Sequence, residues 1–527
     1  MKTRTSIKSK TFISKLQTRL TLNKPDVKHF ISDIYSKRLT KTKSNELEQK
    51  PKILVEHPSV FESIEPSRNQ KLKGSIKYGF ETTLSPYYIF FNVGQKTQKD
   101  KAQQYLEGIF CAERGKRNIE RMVEEVSGSE YESLQHFISN SPWDSDGLMQ
   151  ELSKNISTKL QPYGKIGCTV DEKAHLKKGT KSVGVARQYA GTSGKVDNCQ
   201  VAVYLSLTAD KYSSLTNFRL FLPKKWIDDP ERCKKAGIPK HKMVFKTKPQ
   251  LGLEMIREHI DNNVPFDYVN GDGLYGNGFE FSKGLATLGV NYVLETHCDQ
   301  LIFTQEPRIE VPVADPGKGG RHPSLPKSDC PGITVEKYGK SLRKSDFKEV
   351  KIRRTTKGWL TAWIHVATVW VWDKKAGDRQ AIKQTIVIRK PIDKNDKTKY
   401  SLSNIPEQAQ SIEEFAFMQA QRFWIERCFR DDSHDLGMSD YQVRSYKGFS
   451  NHMALTCVAM EYILAQRLEN VQDVPLLSAN DIRLLIAREL RSRDDYSCED
   501  KRFEQLEKRH LQRQRDINRY YEFNLPK

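Results

Sequence analysis

The period of the apolar positions changes along the chain, and each change predicts a different kind of element. From 76 to 165 apolar residues recur at helical spacing, which predicts a helical domain. From 166 to 295 the order is three strands, helix, strand, helix, strand, which predicts an α/β core with an antiparallel start. From 296 to 405 the chain is rich in the strand formers Val, Ile, Thr and Trp, and helical spacing returns from 406 to 470. The pattern therefore predicts an α/β fold in which a β segment interrupts the core and helices precede it.

The clearest elements have narrow predicted bounds. Strands are predicted at 166–170, 198–207, 215–222, 266–269, 292–295, 347–355, 359–372 and 382–389. Helices are predicted at 249–262, 278–288, 413–430 and 451–468.

The two ends of the chain are polar and charged. Residues 1–52 hold 14 Lys+Arg and 4 Asp+Glu, a net charge of +10, which indicates a basic arm that binds a DNA backbone or a solvated tail. The last segment, from 496 to 521, is charged and helical in period.

Composition narrows the class of protein. The formal net charge of +21 favours a polyanion partner, most often nucleic acid. The nine cysteines are scattered and never form a C-x-x-C pair, which argues against a disulfide framework or a zinc ribbon and fits a reducing compartment. No run of about 18 apolar residues exists, so no membrane span is expected.

Three acidic residues fall where a sheet edge or a packed helix could present them together. Asp272 follows a short apolar run in FDYVNGDGLYGN (266–277), Asp171 ends the first predicted core strand, and Glu426 lies in a predicted helix. Such carboxylates can surround a pair of Mg²⁺ ions, because this cation prefers oxygen ligands. Ordinary interpretations also exist: Asp272 as a turn residue, and Glu426 as a surface ion-pair partner of Arg422.

Four segments in the chain resemble, in order, the DDE transposases of bacterial insertion sequences. They are VDEKAHLKKGTKSVGVARQYAGTSGKVDNCQVAV (170–203), NGDGLYGN (270–277), KYSLSNIP (399–406) and RFWIERCFRDDSHDLGMSDYQVRSYKGFSNHMAL (422–455). The resemblance covers roughly residues 75 to 470. Within the family, the chain resembles the cut-and-paste group.

The resemblance implies a fold and a catalytic site. The fold would be a ribonuclease-H-like core interrupted by an all-β insertion before the final Glu. Asp171, Asp272 and Glu426 would be the catalytic residues and the ligands of two Mg²⁺ ions, with Mn²⁺ able to substitute. The first site reads Asp171-Glu172-Lys173, so Glu172 is the alternative first ligand.

The resemblance also implies how DNA is held. Arg422, one turn before Glu426, would grip a DNA phosphate. Apart from the resemblance, Lys177, Lys178, Lys181 and Arg187 follow the first Asp and could contact the cleaved DNA end or form a solvated charge run, and Arg430, one turn after Glu426, is a further predicted DNA contact. The wider superfamily often has Tyr and Lys where this chain has Gln419 and Ser433.

Together these observations predict a domain order and a setting. The predicted parts are a basic DNA-binding arm (1–75), a helical DNA-binding domain (76–165), the first part of the core (166–295), a β insertion domain (296–405), the last part of the core (406–470) and a charged helical tail (471–527). The expected partners are double-stranded DNA, as terminal inverted repeats and as target, and a second copy in a synaptic homodimer. The expected location is the bacterial cytoplasm, at the nucleoid.

The function expected from the resemblance is that of a DNA transposase that cleaves element ends and joins their 3′-OH groups to target DNA. Two alternatives stay open at this stage. One is a transposase-derived DNA-binding protein that no longer cuts, and the other is a nuclease of the same fold that cuts without joining.

Overall fold

A ten-stranded mixed sheet organises the protein, as a computed structural model shows. The structure describes residues 83–312, 324–355, 358–392, 397–470 and 478–493, all within one compact unit, Ile64–Lys527. The predicted arm and the segment 496–521 lie outside the described residues. Mixed α/β architecture with a central sheet is confirmed.

The strands are numbered in chain order. They are β1 (Asn92–Val93), β2 (Lys96–Thr97), β3 (Gly167–Leu176), β4 (Ala186–Ala190), β5 (Lys195–Ala209), β6 (Tyr212–Leu220), β7 (Tyr268–Gly271), β8 (Tyr292–Glu295), β9 (Leu301–Ile302), β10 (Ile309–Glu310), β11 (Lys327–Ser328), β12 (Ile333–Thr334), β13 (Lys348–Thr355), β14 (Gly358–Val371), β15 (Ile382–Pro391) and β16 (Lys399–Ser403). The large sheet has the order β13-β14-β15-β16-β8-β7-β3-β5-β4, and β6 also pairs with β5.

The helices follow the same numbering. They are α1 (Lys99–Cys111), α2 (Ile119–Glu125), α3 (Tyr131–Ser139), α4 (Ser145–Leu160), α5 (Lys224–Ile227), α6 (Pro230–Lys235), α7 (Lys248–Asp261), α8 (Gly273–Gly276), α9 (Phe279–Thr287), α10 (Val335–Ser341), α11 (Ile412–Gln421), α12 (Phe423–Asp431), α13 (Tyr446–Glu469) and α14 (Ala479–Arg493). Among the described residues none of these helices is long and apolar enough to cross a membrane.

The centre of the sheet is parallel and its two wings are antiparallel. β3, β7 and β8 run parallel to one another, and α7 and α9 precede β7 and β8 along the chain. Helix α7 starts at a capping box, in which Thr247 and Gln250 exchange hydrogen bonds. The predicted order of strands and helices from 166 to 295 is present, with β4 and several short helices added.

Helix α13 joins the N-terminal helices to the sheet. Eighteen of its 24 residues are buried, so it is apolar on nearly every side. It packs against β6 and against α1, α3 and α4, and all of these elements contribute to one hydrophobic core. The predicted helical region from 76 to 165 is helical from residue 99 onwards.

The predicted β segment, from 296 to 405, extends the central sheet. Strand β16 pairs with β8, with Leu402 opposite Leu294, so β13 to β16 are hydrogen-bonded into the same sheet as the core. The segment also contains helix α10, so the expectation of an all-β segment is wrong at that point.

The predicted helix 413–430 is two helices. Helix α11 ends at Gln421 and α12 begins at Phe423, with Arg422 between them as the shared cap residue. The residue keeps right-handed helical backbone angles, so the apolar period continues through the break. This break lies beside the candidate site.

Candidate active site

Three neighbouring parallel strands present acidic residues at one edge of the sheet. Val170, Gly271 and Leu294 are paired across β3, β7 and β8. The residues that follow them are Asp171, Asp272 and Glu295. Because each of these residues directly follows one of the paired positions, all three lie next to one another at the same edge of the sheet.

Asp171 does not end its strand, contrary to the sequence prediction. Strand β3 continues to Leu176 because it keeps pairing with β5 after its pairing with β7 has ended at Val170. Asp171 therefore lies where the parallel pairing stops, on a backbone that β5 still supports. Its position is fixed by the pairing of Asp171 with Tyr204 of β5 and by the pairing of the preceding Val170 with Gly271 of β7.

Asp272 begins a tight helical turn that packs on the end of β8. Its carboxylate accepts a hydrogen bond of 2.9 Å from the backbone N–H of Leu274, at the start of α8. At Gly276 a Cβ atom would lie only 1.8 Å from the carbonyl oxygen of Glu295. Glycine is required there, and this close approach keeps the Asp272 turn against Glu295.

Arg422 lies among the carboxylates. Its Nη2 is 2.8 Å from Glu426, its Nε is 3.2 Å from Glu295, and its Nη1 is 3.5 Å from Asp171. The Arg422 side chain is 15 % exposed and that of Glu426 is 52 % exposed. The interpretation of Glu426 as a partner of Arg422 is thus correct in geometry, but the pair belongs to a larger cluster.

Glu295 is a member of this cluster that the sequence analysis missed. The predicted strand 292–295 ended in this residue, which was a usable signal, since the ends of neighbouring parallel strands share one edge. Lys399 of β16 lies 3.2 Å from the second oxygen of Glu295. Glu295 therefore joins the parallel centre of the sheet to the antiparallel wing.

Glu172, the alternative first ligand, is engaged by other residues. One of its oxygens lies 2.8 Å from Nζ of Lys248, and Tyr275 donates a hydrogen bond of 3.1 Å to the other. Asp171 has no lysine partner within the described residues. It directly follows Val170, which pairs with Gly271, the residue before Asp272. Because the oxygens of Glu172 are engaged by Lys248 and Tyr275, Asp171 is favoured over Glu172 as the cation ligand.

Crowding of carboxylates changes their acidity. Burial and the neighbouring Asp272 raise the pKa of Asp171 to about 8, against an opposing effect of Arg422. Burial and Glu172 likewise raise the pKa of Asp272. Burial alone would lower the pKa of Arg422, but the surrounding carboxylates, Glu295 first, raise it above its usual range. Both aspartates thus lack sufficient compensating positive charge.

The donor set fits a divalent cation in chemistry. Five carboxylates meet here, those of Asp171, Glu172, Asp272, Glu295 and Glu426, and three cations contact them, Arg422, Lys248 and Lys399. Five against three leaves a net charge of −2 when all are ionised, within a chain of net charge +21. Carboxylate oxygens are the ligands that Mg²⁺ prefers. Over the described residues, however, no three His, Cys, Asp or Glu side chains converge closely enough to hold a metal ion.

The predicted DNA contacts fall into two groups. Lys178, Lys181, Arg187 and Arg430 are exposed. Lys177 is partly buried: its Nζ donates a hydrogen bond of 3.0 Å to the carbonyl of Tyr441 and lies over that ring, and burial lowers its pKa to about 7.

Gln419 stands where the wider superfamily often has Tyr, and it has a clear structural role. It is buried, and its Nε2 donates to Ser401 Oγ at 2.9 Å and to the carbonyl of Val387 at 3.2 Å. These bonds attach α11 to β15 and β16, and so help to fix the position of Arg422 at the end of α11.

One curated relative supports a link to transposition. Over 195 residues the chain is 26 % identical to a probable transposase for insertion sequence element IS701 from Microchaete diplosiphon. The match covers 37 % of this chain and 48 % of that protein, so it spans about half the length of the relative.

Two solved structures are similar only at low scores. A piggyBac transposase synaptic complex with hairpin DNA matches with a TM-score of 0.35 and 12 % identity over 83 % of this chain and 82 % of that one. The NurA nuclease from Sulfolobus solfataricus matches with a TM-score of 0.23 and 10 % identity over 54 % of this chain and 86 % of that one. Scores this low do not establish a shared fold.

A family profile gives the broader match. The profile described as DDE superfamily endonuclease matches residues 89–359, slightly more than half of the chain. This stretch includes Asp171, Asp272 and Glu295, and it ends before Arg422 and Glu426. The resemblance drawn from the four sequence segments is thereby confirmed, and the chain belongs to the DDE superfamily endonuclease family.

Proposed function

We propose that this protein is a DNA transposase that cleaves the ends of its own element and joins the freed 3′-OH groups to target DNA. The single observation that carries the proposal is the register of the sheet, which sets Asp171, Asp272 and Glu295 side by side with Glu426 one arginine away. Family membership and the similarity to an insertion-sequence transposase support it.

Asp171, Asp272 and Glu426 are the proposed ligands of two Mg²⁺ ions, which Mn²⁺ would replace. Such an ion pair supplies an activated attacking oxygen and stabilises the leaving oxygen of a phosphodiester. The excess negative charge around Asp171 and Asp272 supports this assignment. Arg422 Nη2 lies 2.8 Å from Glu426, so Glu426 would bind a cation only with this ion pair opened.

Arg422 is the proposed phosphate contact. Its Nε is buried and makes no hydrogen bond, although an oxygen of Glu295 lies 3.2 Å away, because the approach is not along the N–H bond. A donor left in this state is suited to an acceptor oxygen that arrives with the substrate. The planar guanidinium would then orient the strand while the carboxylates hold the cations.

The partners follow from the same proposal. Terminal inverted repeats and target DNA are the proposed substrates, and two copies of the chain would act on two ends in a synaptic complex. The exposed Lys178, Lys181, Arg187 and Arg430 would contact phosphates.

Strand joining separates the proposal from its alternatives. Purified protein is incubated with Mg²⁺, a target plasmid and duplexes that carry the inverted repeats flanking the gene. A transposase yields cleaved ends and plasmid-joined products, and Glu426→Ala yields neither while still binding the duplex, because lysines and arginines supply that affinity. Cleavage without joining would identify a nuclease, and binding without cleavage a protein that no longer cuts; either result overturns the proposal.

A further inference from the structure

The connection between β6 and α7 is a basic surface that the sequence analysis did not identify. It runs from 221 to 247 and holds only α5, α6 and a short 3-10 turn. From 224 to 248 there are nine Lys+Arg and three Asp+Glu, a net charge of +6. Such an excess of positive charge favours a polyanion partner.

This connection is firmly packed. Trp226 is buried, and its indole N–H donates a hydrogen bond of 2.9 Å to the carbonyl of Val185. Arg232 stacks on the Trp226 ring at 3.8 Å and donates a hydrogen bond of 2.9 Å to the carbonyl of Thr180. The connection therefore lies against the loop 177–185, which contains three of the predicted DNA contacts, Lys177, Lys178 and Lys181.

The two segments together expose lysines, which we name the connector face: Lys178, Lys181, Lys225, Lys234, Lys235 and Lys240. Nearby acids partly serve local structure, since Asp229 caps α6 with a 3.0 Å hydrogen bond from Arg232 N–H and Glu231 pairs with Lys234 at 3.4 Å. Within the described residues Lys178, Lys181, Lys225 and Lys235 have no ion-pair partner.

The connector face adjoins the candidate active site through both of its segments. Lys248, at the end of the connection, lies 2.8 Å from Glu172, which is next to Asp171. The loop 177–185 follows β3, whose last residue, Leu176, is five residues beyond Asp171. Five residues of strand span roughly 16 Å, the length of about five base pairs of B-DNA.

We infer that the connector face binds the backbone of the duplex DNA that enters the active site. Exposed lysines on a fixed surface suit phosphates, which give affinity without base sequence. Duplex DNA is favoured over single strands because no Phe, Tyr or Trp side chain of the connection is exposed among the described residues, and stacking on such rings is the usual feature of single-strand sites. This inference rests on the proposed function.

The test compares two fourfold variants of the full chain. One carries Lys178→Ala, Lys181→Ala, Lys225→Ala and Lys235→Ala; the control carries Lys96→Ala, Lys154→Ala, Lys374→Ala and Lys375→Ala, which are exposed elsewhere. Binding to a linear duplex of about 30 base pairs is measured against salt concentration. The first variant should flatten the slope of log affinity against log salt by about 3, and the control by less than about 1.

Equal slopes in the two variants would overturn the inference. A loss of affinity for duplex RNA without a loss of affinity for duplex DNA would overturn it as well. A second readout, the single-turnover cleavage rate at saturating DNA, keeps this result apart from the proposed function. If the first variant flattens the slope but the protein never cleaves DNA, the connector face stands as a DNA-binding surface and the proposed function is wrong. Normal cleavage with an unchanged slope would reject the surface alone.

Discussion

Two buried carboxylate environments in this protein differ in how their charge is balanced. On α13, Glu461 is 1 % exposed, accepts a hydrogen bond of 2.7 Å from Tyr87 and lies 2.9 Å from Nζ of Lys159. At the sheet edge, Asp171 shares Arg422 with Glu295 and Glu426. One environment has a cation for its single carboxylate, whereas the other has more carboxylates than cations.

The difference separates a structural role from a chemical one. A buried charge with matched partners ties elements together, here the segment around Tyr87, α4 and α13, and needs nothing further. A cluster with excess charge costs folding free energy unless a cation arrives. Pairing of charge, and not burial, therefore identifies the candidate site.

The largest effect is expected from Gly276→Ala. The new Cβ would overlap the carbonyl of Glu295, so the Asp272 turn must move from β8, at a cost of about 3 kcal/mol or more. Gly278→Ala is the matched control, since nothing lies within 4 Å of its Cβ position. Urea unfolding and cleavage assays should show losses for the first variant and near-normal values for the second; similar values for both would mean that the turn is not packed as described.

Arg422→Lys should slow cleavage by at least roughly tenfold, the equivalent of ~1.4 kcal/mol of transition-state stabilisation. Lysine lacks the planar fork that reaches three carboxylates and can grip a phosphate. The variant should remain folded, because the lysine still neutralises part of the cluster. Single-turnover rates on pre-bound DNA measure cleavage, and a thermal melt measures whether the variant is folded. An unchanged rate would mean that Arg422 and Glu426 form only a structural ion pair.

A smaller effect is expected in the dependence of stability on pH. The pKa of Asp171 is about 8 when folded and about 4 when unfolded. Between these pH values the folded protein binds one proton more than the unfolded protein. The contribution of Asp171 to the free energy of unfolding is therefore complete below about pH 4 and is lost as pH rises towards about 8. Asp171→Asn should melt higher than the natural protein at pH 8, by ~2 °C or more, with a smaller difference at pH 5. Equal differences at the two pH values would show that Asp171 is not protonated in the folded state.

Local elements of this fold are readable from the sequence, and their partners are not. The apolar period predicts β13, β14, β15 and α7 within a few residues, because it reflects which face each element buries. It cannot reveal that β16 pairs with β8, since that contact joins distant parts of the chain. The β segment therefore looked separate although it extends the sheet.

The site shows the same limit. Asp171, Asp272 and Glu426 were predicted and lie in one cluster, although their role as ligands stays a prediction. Glu295 was missed because its importance depends on the register of β7 with β8. The helix break at Arg422 was also missed, since its backbone stays helical and the side-chain pattern continues through it.

The most direct test of the central claim compares Asp272→Asn with Glu461→Gln in single-turnover, Mg²⁺-dependent cleavage of a pre-bound element end. Both changes replace a carboxylate by an amide of the same shape. The account predicts that Asp272→Asn binds DNA and stays folded but falls to the uncatalysed background, while Glu461→Gln loses stability and cleaves, when folded, at the natural rate. Cleavage by Asp272→Asn at a normal rate would contradict this prediction. The carboxylates at the sheet edge would then have only a structural role, like Glu461 on α13.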